Sequence, residues 1–283
     1  MDAVMRRNAR HAFVGRILRG VGYSPKKPVF VVGTGRCGSS LLSSILQSHN
    51  RLVVFPDEAN ELWHPHSYPF RNASIETPSM IEDPNAFTGI SVSNWPPGHD
   101  HLIRAVFSSY NLVHGPNRTL VVKSAMISFM IPRIQTLFPD ARFLHIYRSG
   151  PPVVESWLVK DWSKHSDRFR SKDDFRVACA RYWNNCILEI DRRNTGSGLA
   201  ERGLLLEVSY ESLCRRPEDI LSRIAAFLGV DRSGFLFDVR GIQSQDYKVG
   251  DYSADPAWRL PLRMMAEGMG LKGFSGSGKA APA

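Results

Sequence analysis

The sequence predicts a single α/β domain with a central parallel sheet flanked by helices, and three observations carry that expectation. Short runs rich in β-branched and aromatic residues recur near 29–32, 119–122, 142–147 and 203–208. Helical stretches follow each of them, near 38–48, 126–137, 152–160 and 217–228. The first run, Val29-Phe30-Val31-Val32, is apolar throughout rather than alternating, as in a parallel strand covered on both faces. Alternating strands and helices build a doubly covered sheet whose ligands gather at the carboxyl ends of its strands.

The elements follow in chain order. Residues 1–28 place Val4, Met5, Phe13, Val14, Ile17, Leu18 and Val21 among five arginines, the pattern of a basic amphipathic arm. Such an arm packs on the domain or a partner, or lies peripherally on an anionic membrane. No apolar run approaches the roughly 18 residues that cross a bilayer, and the start lacks a signal-peptide core, so the expected location is cytoplasmic. After the first strand comes Gly33-Thr34-Gly35-Arg36-Cys37-Gly38-Ser39-Ser40, leading into a helix with Leu41, Leu42, Ile45 and Leu46 on one side. Glycines allow a tight turn, and the N–H groups of the helix start then face into it as an anion cradle. A nucleoside-triphosphatase loop would carry Lys before its Ser or Thr. Here Ser39 stands at that position, and the cation is Arg36, inside the turn.

A second anion site is expected at the end of the run Phe143-Leu144-His145-Ile146-Tyr147. Arg148 ends the strand, Pro151 and Pro152 suit the first turn of a helix, and Ser156 follows eight positions after Arg148. A guanidinium fork and a hydroxyl aimed at one point make a phosphate pocket. Lys123 closes another strand, after Leu120-Val121-Val122. The helix near 217–228 has Pro217 at its start and Gly229 just past its end.

These segments resemble the sulfotransferases that use 3′-phosphoadenosine 5′-phosphosulfate. Gly35 to Leu41 is similar to that family's 5′-phosphosulfate loop, and Arg148 with Ser156 matches its 3′-phosphate pair in type and spacing. Leu137-Phe138-Pro139-Asp140-Ala141-Arg142-Phe143 resembles the family's approach to the 3′-phosphate strand. The segment Val208 to Leu213, with Pro217-Glu218 and Ala226-Phe227-Leu228-Gly229, resembles another family motif. The resemblance spans residues 29 to 230 and implies a P-loop-like fold. It also implies the donor itself, with no metal, and sulfuryl transfer to an acceptor hydroxyl by in-line displacement. In this reading Gly35, Arg36, Cys37, Gly38, Ser39 and Ser40 hold the 5′ end and Arg148 and Ser156 the 3′-phosphate. Tyr210 lies near the adenine, and Lys248, in Lys248-Val249-Gly250, adds a 3′ cation. Lys123 and Arg36 stabilise the charge that develops as the S–O bond breaks.

The base departs from the cytosolic branch of that family, whose K-T-H is replaced here by Lys123-Ser124-Ala125. Other branches place a glutamate soon after the first helix. Phe55-Pro56-Asp57-Glu58-Ala59-Asn60-Glu61 occupies that region, so Glu58 is the expected base, with Asp57 and then Glu61 behind it. His64, His66, His99 and His101 are fallbacks. Two other readings remain open: a P-loop small-molecule kinase or nucleotide hydrolase, and a nucleotide-binding scaffold without turnover.

Composition fits a soluble globular protein with a sizeable core: 283 residues, 43% hydrophobic and 22% charged, with four scattered cysteines and no metal-ligand spacing. The net charge of +9 suits steering of an anionic donor, and with no nucleic-acid motif it does not point to DNA or RNA. The domain is expected over 29–270, with 59–118 an acceptor-recognition insert and 271–283 a flexible tail. Trp63 and Trp95, with nearby prolines and histidines, suit a carbohydrate or glycolipid, ahead of a small alcohol or phenol, and equally suit a hydrophobic cap over the core. A further helical segment is expected over 173 to 193.

Overall fold

The computed structural model describes residues 23–63, 98–238 and 252–275. Its centre is a five-stranded, wholly parallel sheet: β1 (Val29–Val32), β2 (Leu52–Val54), β3 (Thr119–Lys123), β4 (Arg142–Tyr147) and β5 (Leu205–Ser209). The spatial order is β2-β3-β1-β4-β5, with Val29 opposite both Val121 and Arg142. All four residues of β1 are buried, as the unbroken apolar run requires. Phe30 and Val32 face a core with Trp63, Phe107 and Phe143, whereas Val29 and Val31 face Leu42, Ile45 and Leu46. A strand buried on both sides needs helices on both sides, and it has them.

Helix α1 (Ser39–Gln47) follows β1, and α2 (Asn60–Trp63) and α3 (His99–His114) follow β2. After β3 come a 3-10 turn (Met126–Phe129) and α4 (Ile131–Leu137). After β4 come α5 (Gly150–Lys160), α6 (Trp162–His165) and the long α7 (Lys172–Ser197). Helices α8 (Tyr210–Arg215) and α9 (Pro217–Leu228) follow β5, and α10 (Arg259–Leu271) closes the described chain. Pro217 does open α9, and Gly229 ends it with a φ of 69°. The chain runs from β1 outward to β2, back to β3, and then to β4 on the other side of β1. The direction of winding therefore reverses beside β1, and the loops after β1 and β4 border the crevice where such sheets bind ligands.

In four places the structure differs from the sequence expectations or decides between them. Strand β2 was not foreseen, because three residues at a sheet edge leave too short a pattern. The segment 59–118 is not all loop. Its helix α3 buries Ile103, Val106 and Phe107 and begins with His99 inside, although His-Asp-His reads as a polar start. Of the two uses open to Trp63 the structure shows the core one: it is fully buried against Phe30 and Phe107. Packing also continues beyond 270: Phe274 is buried, lies 6.2 Å from the Tyr147 ring, and donates its N–H to the Met269 carbonyl. Trp95, His64, His66, Lys248 and most of the 1–28 arm lie outside the described residues. None of the described helices is long and apolar enough to cross a membrane.

The end of α10 is fastened to the sheet through buried charge. Lys272, its side chain 3% exposed, pairs with Glu207 of β5, which also accepts the Nδ1–H of the fully buried His145 at 3.0 Å. Burial pushes the Glu207 carboxyl up, but the His145 hydrogen bond and the Lys272 charge outweigh it and hold it at about 2. Burial lowers the affinity of His145 for a second proton, and its Nε2 has no hydrogen-bond partner among the described residues. Below its ordinary value of 6.5 the unfolded chain therefore binds a proton at this histidine that the native chain refuses. Stability present above pH 6.5 is lost as pH falls, by at most about 1.4 kcal/mol per pH unit for one proton. His145→Gln is expected to remove that share of the slope in urea titrations between pH 7 and 5. An unchanged slope would assign the acid sensitivity elsewhere.

Candidate active site

The turn after β1 is closed in by its neighbours. The Gly33 N–H donates to Ser128 Oγ at 2.8 Å, and that hydroxyl donates to the Gly33 carbonyl at 3.0 Å. Gly35 packs against the Trp157 ring so closely that a Cβ would overlap it. Gly38 has a φ of 99° and lies on the Tyr210 ring, so both its conformation and the space exclude a side chain. Gly38 is the N-cap of α1 and supplies no side-chain cap, so the N–H groups of Ser39 and Ser40 open the helix without a capping oxygen. Cys37 turns its thiol inward, where it accepts from the Ser39 N–H. Its side chain is fully buried in the core under α1, and burial pushes its thiol up to about 11, so only its backbone is available to a ligand.

The turn after β4, the second expected anion site, meets the turn after β1. Arg148 follows β4, and its Nη1 donates to the Arg36 carbonyl at 3.3 Å. Its guanidinium lies 5.1 Å over the Tyr210 ring, and its carbonyl accepts from Trp183 Nε1 at 3.1 Å. Glu211 holds the next residue, accepting the Ser149 N–H at 2.9 Å. Tyr210 is therefore wedged between Gly38 and Arg148, and its packing sets the spacing of the two loops. Ser156 is half-buried on α5, within the helix that Ser149 introduces.

Glu58 and Lys123 come together over 65 positions: Lys123 Nζ donates to Glu58 Oε1 at 2.5 Å. The Phe55 N–H donates to the Val121 carbonyl at 2.8 Å, extending the sheet pairing and carrying the following turn to the end of β3. In that turn Asp57 Oδ1 accepts the Ala59 N–H at 2.8 Å, and Ala59 has a φ of 48°. Asp57 thus braces the turn that presents Glu58. His99 is a buried structural residue, its Nε2 2.7 Å from the Leu62 carbonyl and its proton affinity lowered by burial. His101 is exposed on α3.

A sequence model described as the sulfotransferase family matches residues 28–234, which contain both anion loops, Lys123 and Glu58. The chain belongs to the sulfotransferase family. Among curated proteins, the chain is 25% identical over 244 residues to nodulation protein NoeE of Sinorhizobium fredii, covering 77% of the chain and 53% of that protein. It is 23% identical over 224 residues to an uncharacterized protein of Aquifex aeolicus, covering 74% of the chain and 26% of that protein. The chain thus spans about half or less of the length of these relatives. Two solved sulfotransferases share the fold. That of Alicyclobacillus acidocaldarius has a TM-score of 0.56 at 17% identity, covering 87% of this chain and 93% of that one. The sulfotransferase domain of the Synechococcus PCC 7002 olefin synthase has a TM-score of 0.53 at 21% identity, covering 92% and 90%.

One residue beside these loops had no sequence motif to announce it. Asp161, buried at the end of α5, accepts from both Nε and Nη2 of Arg36, the Nε bond being 3.0 Å. Its only trace in the sequence is the i, i+4 spacing from Trp157, which puts both on one helix face.

Proposed function

We propose that the protein transfers a sulfuryl group from 3′-phosphoadenosine 5′-phosphosulfate to an acceptor hydroxyl, with Glu58 as the base. The observation that supports this best is the contact between the two anion loops, made by Arg148 on the Arg36 carbonyl across the crevice beside β1. A nucleotide with anionic groups at both ends of one ribose needs two such cradles a short distance apart. The glycine-lined turn fits an anion because its floor has no room for side chains and its N-cap, Gly38, places no capping side chain over the start of the helix.

The donor supplies the activated sulfuryl group. The N–H groups of Ser39 and Ser40, with Arg36, hold its 5′ end, and Arg148 and Ser156 hold the 3′-phosphate. Lys248, outside the described residues, remains a candidate second 3′ cation. Tyr210, between the loops, flanks the nucleotide. Glu58 takes the acceptor proton, and its pairing with Lys123 holds the carboxylate in place at the end of β3. Lys123 has three N–H donors, so it stays paired with Glu58 while another N–H meets the oxygen that gains charge. Catalysis then rests on positioning and preorganised charge. With Trp63 in the core, the carbohydrate or glycolipid reading of the acceptor rests on the sequence between 64 and 97, Trp95 above all.

Calorimetry with adenosine 3′,5′-bisphosphate in chelator tests the class. Micromolar binding is expected without added Mg²⁺. No binding, or binding of ATP only with Mg²⁺, would overturn the reading and favour a kinase or hydrolase. Nucleotide binding without transfer to any hydroxyl would point to a scaffold.

A further inference from the structure

We propose that Asp161 is a positioning residue that fixes the guanidinium of Arg36 for the 5′ end of the nucleotide. The inference rests on the reading of the Gly33–Ser40 turn as an anion cradle and adds a residue that lies outside both anion motifs. Arg36 is an unusual place for a long side chain: its φ is 65°, a left-handed conformation that non-glycine residues seldom adopt. Two contacts from α5 hold it there. Asp161, its side chain 5% exposed, binds Nε and Nη2 through one oxygen, and the guanidinium lies 5.4 Å over the Trp157 ring.

The geometry of the fork explains why this positions the cation. A guanidinium has five N–H donors in one plane. Asp161 engages the Nε and Nη2 side, which leaves the Nη1 edge for an anion. The Trp157 face fixes the plane, and the same ring walls Gly35, so loop and side chain are braced by one residue. A carboxylate this buried is costly without a cation, which favours the paired arrangement over a swinging side chain. Helix α5 begins after Arg148 and carries Ser156 before Trp157 and Asp161. One rigid helix therefore links the expected 3′-phosphate ligands to the support of the 5′ cation.

The test compares adenosine 3′,5′-bisphosphate, adenosine 5′-monophosphate and adenosine 3′-monophosphate on wild type, Asp161→Asn and Asp161→Glu by calorimetry, with thermal melting as the fold control. Asp161→Asn is expected to weaken both 5′-phosphate ligands roughly ten- to a hundredfold, the usual cost of losing a group that orients a ligand, while the 3′-monophosphate stays within about twofold. Asp161→Glu keeps the buried charge and protects the fold but displaces the oxygen by a methylene, so it is expected to lose 5′-phosphate affinity severalfold. In an Arg36→Ala background, Asp161→Asn is expected to have no further effect on 5′-phosphate binding. Wild-type 5′-phosphate affinity in both Asp161 variants would overturn the role. Equal loss of the 3′- and 5′-monophosphates would also overturn it, as a purely structural effect. Failure of the wild type to bind the bisphosphate would be a different result: it would remove the functional reading itself and this role with it.

Discussion

Glu58→Gln is expected to keep the nucleotide and lose turnover by roughly 10²- to 10⁴-fold, the range for removing a general base. The side chain keeps its size and can still accept from Lys123 Nζ, so the turn built by Asp57 and Ala59 should survive. What it loses is the ability to take the acceptor proton. Bisphosphate affinity by calorimetry should stay within about threefold of wild type, because no anion ligand has been touched. Lys123→Ala should also lower kcat, by roughly 10²- to 10³-fold, through lost charge stabilisation. The two residues touch, so the double variant should be far less than the product of the single effects. Turnover of Glu58→Gln within about tenfold of wild type would place the base elsewhere.

Arg148→Ala is expected to weaken bisphosphate binding by roughly 10²- to 10⁴-fold. The figure follows from two charge-assisted hydrogen bonds at about 1.5 to 3 kcal/mol each, with about 1.4 kcal/mol per tenfold. Part of the loss comes from the protein itself. The Arg148 side chain bridges to the Arg36 carbonyl and covers Tyr210, so its removal also loosens the loop that holds the 5′ end. Its own carbonyl, which accepts from Trp183 Nε1, is untouched by the substitution, and β4 should hold its place. The melting temperature should therefore move little while affinity collapses. A variant that binds the bisphosphate with wild-type affinity would remove Arg148 from the donor site.

The parts of the fold that were legible are those whose pattern is local. The all-apolar β1 and its glycine turn lie within a dozen residues of one another, as do Arg148 and Ser156, and α9 is bounded by its own proline and glycine. The helix expected over 173 to 193 appears as α7, one residue longer at its start and four longer at its far end. The preference for Glu58 over Asp57 was a choice among neighbours in sequence. The structure distinguishes them by contacts: Asp57 turns back on its own backbone, and Glu58 reaches Lys123. Strand β2 and the buried side of α3 were missed because their residues look like loop until β3 and the aromatic core are beside them.

By itself the sequence determined the α/β class, the turns after β1 and β4 and the types of residue that line them, since these depend on short-range periodicity, turn chemistry and spacing. Tertiary structure alone decided which side chains meet. Lys123 with Glu58 spans 65 positions, Arg148 with Arg36 spans 112, and Arg36 with Asp161 spans 125. It also sent Trp63 and Cys37 into the core and turned the ring of Tyr210 against Gly38. The physical reason is that burial and ion pairing depend on distance in space. That distance is set by the order and register of the strands, which no window of neighbouring residues contains.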